Sequence, residues 1–170
     1  MTLNKNVLAG MVATCAIGVV CTAQAVDVEF VNHQNATAVC QSALPAFDGL
    51  IRKRPLAVQN EGTGTAFVTC SFIGNNASTR RLSLYFINNS AAAQNVSCTM
   101  VDGFDTGSTN FGTKSVSVVA NRANQANIAW DAASDNANVN YSDLVNVSCQ
   151  LPPGTGINDT YNYYPQDVGA

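Results

Sequence analysis

Hydrophobic and polar positions alternate along most of this chain. Val68, Cys70 and Phe72 fall on one side of a two-residue period, with Thr69 and Ser71 on the other. Val96, Cys98 and Met100 repeat the pattern, as do Val147, Cys149 and Leu151. Leu82, Leu84 and Phe86 alternate with Ser83 and Tyr85, and Ala126, Ile128 and Trp130 alternate with Asn127 and Ala129. Val26, Val28 and Phe30, the stretch from Leu56 to Gln59, and Val116 with Val118 fit the same period. A period of two is that of a strand with one buried face. Between these runs lie turn residues: Asn60-Glu61-Gly62, Gly74-Asn75-Asn76, Asn88-Asn89-Ser90 and Asp102-Gly103. About nine short strands at regular spacing predict an all-β fold, an antiparallel β-sandwich of the Ig-like or jelly-roll kind. Helical signal is confined to Gln41–Arg52, where Pro45 and Gly49 restrict it to a turn. Gly103–Thr113 and Asp131–Ser142 read as loops, and the alternating Tyr161 and Tyr163 as a last edge strand.

The first 25 residues break this pattern. Lys5 precedes a charge-free apolar run from Val7 to Cys21, and Ala23-Gln24-Ala25 fits a secretory cleavage site. The run is short of the roughly 20 residues needed to span a bilayer. Residues 1–25 are therefore expected to be a signal peptide. Residues 26–170 then form one domain with no membrane span, periplasmic or secreted. Export changes the meaning of the cysteines. Cys40, Cys70, Cys98 and Cys149 remain, each on the apolar side of its strand, which predicts two buried disulfides. Four cysteines allow three pairings, of which Cys40–Cys70 and Cys98–Cys149 are favoured. Their wide spacing argues against a zinc site, and no cofactor or metal is expected.

Composition narrows the function classes. Charged residues make up 11% of the chain, and 20 Asn, 14 Thr and 12 Ser supply the polar positions instead. A net charge of -3 gives no support for nucleic-acid binding. The single histidine, His33, sits among Asn32, Gln34 and Asn35 and reads as a solvated loop residue. No Ser–His, zincin or phosphate-loop motif is present, and most carboxylates fall in turns, so the chain reads as non-catalytic. Asp102 and Asp105 lie in a Gly-containing loop that invites a calcium reading but lacks the further acidic ligands of an EF-hand.

Five of the basic groups cluster: Arg52, Lys53 and Arg54 before one strand, and Arg80 and Arg81 before another. An up-down-up meander would bring both clusters to one end, as a patch for an anionic glycan or phosphate. Charges guarding strand ends explain them as well. Tyr85, Tyr161, Tyr163 and Tyr164 are candidates for stacking on sugar rings.

The stretches at 52–62 (RKRPLAVQNEG), 67–72 (FVTCSF) and 149–157 (CQLPPGTGI) resemble small exported four-cysteine proteins of Gram-negative bacteria. The resemblance implies export and the four-cysteine sandwich, and brings no activity with it. The size and β content also suit a fimbrial subunit. The chain ends Asp167-Val168-Gly169-Ala170, without the penultimate Tyr expected there. Two functions follow as expectations: a binding module for a glycan or anionic surface ligand, or a fimbrial-subunit-like assembly protein pairing by an exposed edge strand with a protein partner.

Overall fold

The computed structural model describes residues 26–73, 79–103, 109–137, 140–142 and 144–169. The expected signal peptide, the Gly74-Asn75-Asn76 turn and Asp105 lie outside them. Among the described residues there are eleven strands: β1 Asp27–Asn35, β2 Cys40–Ser42, β3 Ile51–Arg54, β4 Ala57–Asn60, β5 Ala66–Ile73, β6 Arg81–Asn88, β7 Gln94–Gly103, β8 Thr109–Val118, β9 Arg122–Asp131, β10 Leu144–Leu151 and β11 Thr155–Asp167. Two single-turn helices, α1 Ala36–Val39 and α2 Ala132–Asp135, sit between strands, and Pro45–Phe47 forms a 3-10 turn.

The strands make two antiparallel sheets. The first runs β3-β4-β11-β6-β9, with β1 also paired to β11; the second runs β2-β5-β10-β7-β8. The quartet β4-β11-β6-β9 facing β5-β10-β7-β8 is a jelly-roll order, one of the two arrangements the alternation left open. The predicted faces hold throughout the core. Val68, Cys70, Leu82, Leu84, Phe86, Val96, Cys98, Trp130, Val147, Cys149 and Leu151 are 0–1% exposed. Burying each large side chain of this set contributes about 1.5–3 kcal/mol.

Both disulfides form as favoured, Cys40–Cys70 and Cys98–Cys149. Each joins directly opposed residues on neighbouring strands of the second sheet, β2 to β5 and β7 to β10.

Several expectations are corrected. Arg52, Lys53 and Arg54 precede β4, as expected, but do not stand in a connection. With Ile51 they form a strand of their own, β3, which turns at Pro55-Leu56 to pair with β4. Apolar patterning could not reveal an edge strand whose burial is confined to Ile51. β4 and β5 belong to different sheets, so no meander forms. Tyr161 and Tyr163 lie on no edge: the 13-residue β11 is flanked by β6 on one side and by β4 and β1 on the other. His33 is inside β1, not in a loop. Val28 and Phe30 keep 40% and 36% exposure, because β1 packs chiefly on β11. Among the described residues no helix is long and apolar enough to cross a membrane.

Candidate functional site

Register places twelve side chains of the first sheet on its outer face, in three rows across β1, β11, β6 and β9, because directly paired residues share a face. The first row is Val31, Tyr163, Arg81 and Asp131. The second is His33, Tyr161, Ser83 and Ala129. The third is Asn35, Asp159, Tyr85 and Asn127. A bulge at Asn158 lets this alternation coexist with inward-facing Ile157, because the register shifts between Ile157 and Asp159.

The aromatic rings of these rows meet. His33 stacks on Tyr161 with centroids 4.3 Å apart and planes 4° apart. Tyr85 meets Tyr161 edge-on at 5.2 Å, and Tyr163 stacks beside Tyr161 at 6.4 Å. The Arg81 guanidinium lies 5.4 Å from the Tyr163 centroid, within cation–π range. Nε2 of His33 is 3.3 Å from Oδ1 of Asp159. Desolvation, together with the charge of Asp159, pushes the Tyr161 hydroxyl above its ordinary value and keeps it a neutral donor and acceptor. The small Ser83 lies under this layer, 1% exposed, with an unpartnered Oγ. Tyr164 points to the opposite side, where it stacks on Phe30 at 6.1 Å.

At the end of the first row a cavity of about 340 Å³ opens between Glu29, Arg80, Arg81, Asp131 and Ala133. Glu29 lies on the outer face of β1, opposite Pro165. Asp131 Oδ1 caps α2 by accepting from the Ala133 and Ser134 amides at 3.0 and 3.3 Å.

The two basic clusters do not merge. Lys53, Val58, Ile157 and Phe86 share one row across the sheet, whereas Arg81 pairs with Tyr163. The clusters are therefore offset by five positions along β6, about 17 Å along the strand. The β3 cluster is also occupied by its own chain. Arg52 donates to the Asp48 carbonyl at 2.9 Å, and Lys53 to that of Thr37 at 3.1 Å. Arg54 forks onto Glu61 with both bonds at 2.6 Å, which holds that carboxyl below its ordinary value. Asp102 of the calcium reading is 4% exposed and accepts from the Ser142 amide at 2.7 Å and the Asn136 side chain at 3.2 Å. Among the described residues no cluster of His, Cys, Asp or Glu suits a metal ion.

The alternation singled out Tyr85, Tyr161 and Tyr163, but not His33, Asp159, Glu29 or Asp131, which reach this face only through pairings between strands distant in sequence. Asp27, Glu29 and His33 fall on one side of the two-residue period of β1, a local signal for this face.

No known family pattern and no curated protein matches the sequence. Similar solved structures include CBM35 from Cellvibrio japonicus Abf62, at 15% identity over 83% of this chain and 96% of that one, TM-score 0.48. TmCBM61 in complex with β-1,4-galactotriose is similar at 11% identity over 81% and 88%, TM-score 0.39. The CBM22-1–GH10 modules of Clostridium thermocellum Xyn10B with xylohexaose are similar at 12% identity over 66% and 22%, TM-score 0.44. Identities this low leave the chemistry of the face to its own residues.

Proposed function

We propose that the chain is an exported, non-catalytic module that binds a glycan on the outer face of its first sheet. One observation carries this reading: His33, Tyr85 and Tyr163 each pack against Tyr161 on an open sheet face, flanked by Arg81, Asp159 and Asn127. Sugars present apolar C–H patches and a rim of hydroxyls. Amphipathic rings bordered by fixed donors and acceptors match both. The two disulfides support a periplasmic or secreted setting. Two carboxylates face the cavity, but Asp131 is committed to capping α2.

A glycan array followed by calorimetry on the best binder tests the reading. Tyr161→Ala is expected to weaken binding about tenfold or more while leaving the melting temperature within a few degrees of wild type. An array without hits, or release of reducing sugar from the bound glycan, would overturn it.

A second reading has its own observation. Three other edges are blunted: β2 has three residues, β3 carries Arg-Lys-Arg, and β8 turns Lys114 inward. β1 presents nine residues with Val28, Phe30 and Val31 at 36–48% exposure, the kind of edge that invites pairing with another copy. Antiparallel pairing centred on Val31 would set Glu29 of one copy opposite His33 of the other. A strict monomer by light scattering at high concentration would remove this assembly reading.

A further inference from the structure

The cavity beside Tyr163 holds groups of both signs that its own chain leaves unused. The Glu29 side chain makes no hydrogen bond or ion pair with any described residue, and among the described residues the Arg81 guanidinium makes none beyond its cation–π contact with the Tyr163 ring. Arg80 reaches Asp27 at 3.4 Å through one nitrogen, yet its Nε is buried without a partner. Two guanidinium groups and two carboxylates give the lining no net charge. An anion would therefore meet Glu29 and Asp131 as well as the arginines and gain little. An uncharged polyol gains from both, since adjacent hydroxyls can donate to a carboxylate while accepting from the planar fork of an arginine.

Position adds a second constraint. The cavity lies at one end of the tyrosine rows, where Ala133 of α2 lines it and the Ala132 amide donates to the Arg80 carbonyl at 2.9 Å. At about 340 Å³ it is near the lower limit of ordinary ligand pockets, about 300–1,000 Å³, and so has room for one or two sugar rings.

We propose that this cavity is a terminal subsite, in which the last ring of an uncharged glycan is held by Glu29 and Arg81 while the preceding ring lies against Tyr163 and Tyr161. The proposal rests on the glycan reading of the tyrosine face and adds to it a preference for neutral chains over uronates and for chain ends over chain interiors. It also reverses the anionic ligand that the basic clusters suggest on their own.

The test uses neutral hexose oligosaccharides of two to six rings, the matching polysaccharides and uronic-acid oligosaccharides, titrated by calorimetry into the oxidised protein. Affinity is expected to level off by three rings, polysaccharide to saturate in proportion to its chain ends, and uronates to bind more weakly. Glu29→Gln and Arg81→Gln are each expected to weaken neutral binding about tenfold. Both side chains are exposed, so the fold should hold, which an unchanged melting temperature would verify. Affinity that climbs through six rings, saturation in excess of chain ends, or full binding by Glu29→Gln would overturn the terminal subsite. Loss of binding in Tyr161→Ala in the same experiment would leave the tyrosine reading standing. A wild-type protein that binds none of these probes would overturn both.

Discussion

Asn60 and Asn88 show how single residues join the two sheets. Each ends a strand of the first sheet at 0% exposure. Asn60 donates from Nδ2 to the carbonyls of Gly64 and Leu151, both at 2.8 Å, and accepts from the Gly62 amide at 3.0 Å. Asn88 repeats the arrangement with Ala92 at 2.8 Å, Val118 at 2.9 Å and the Ser90 amide at 2.9 Å. Leu151 and Val118 end strands of the second sheet, so each asparagine closes a turn and ties the sheets at a corner. Asn60→Ala and Asn88→Ala would each leave buried carbonyls unpaired. Each is expected to destabilise by about 2–3 kcal/mol in urea unfolding, against a few tenths for the exposed Asn89→Ala. Both positions read as turns in the sequence, which is the local half of their role. The bonds to Leu151 and Val118 span 91 and 30 residues, and nothing local encodes them.

At the scale of elements, β8 and β9 are laced across one open side of the sandwich. Trp130 donates from Nε1 to the Gly112 carbonyl at 2.8 Å, and a Cβ on Gly112 would come within 3.2 Å of the Trp130 ring. Lys114, opposite Cys98 on β8, reaches the Ala129 carbonyl at 2.8 Å and Asp135 of α2 at 2.7 Å. Desolvation by itself would raise the Asp135 carboxyl. The Lys114 hydrogen bond and charge, with the Asp131 amide, outweigh it and hold the group below its ordinary value. A depressed carboxyl contributes stability above its unfolded pKa of about 4, and that contribution is lost as pH falls through the lower folded value. Wild type is expected to exceed Asp135→Asn by about 1 kcal/mol at pH 7, with the gap closing as pH drops below about 4. A gap independent of pH in denaturant titrations would show that the carboxylate charge plays no part. The alternation of β9 placed Trp130 inward, whereas Lys114 on an inward position is legible only once β8 is known to be an edge beside β9.

For the whole molecule, both disulfides lie in the second sheet, at sequence separations of 30 and 51. Loops of that length contribute roughly 3.5–4 kcal/mol each in the chain-entropy account, a large share of a domain stability of about 5–15 kcal/mol. Cys98→Ala with Cys149→Ala is expected to lower the melting temperature by about 10 °C, and full reduction to unfold the chain near body temperature. A change of less than about 3 °C would show that the sandwich holds without the bridge. The sequence by itself determined the strand faces, the buried cysteines and the paucity of charge, because alternation and composition are local properties. Only the tertiary structure decided which strands are neighbours. It set β4 and β5 in different sheets, separated Arg52–Arg54 from Arg81, and brought His33, Tyr161 and Tyr85 into contact from three parts of the chain. Pairing between distant strands is settled by which set of contacts buries most apolar surface at once, and no window of sequence contains that sum.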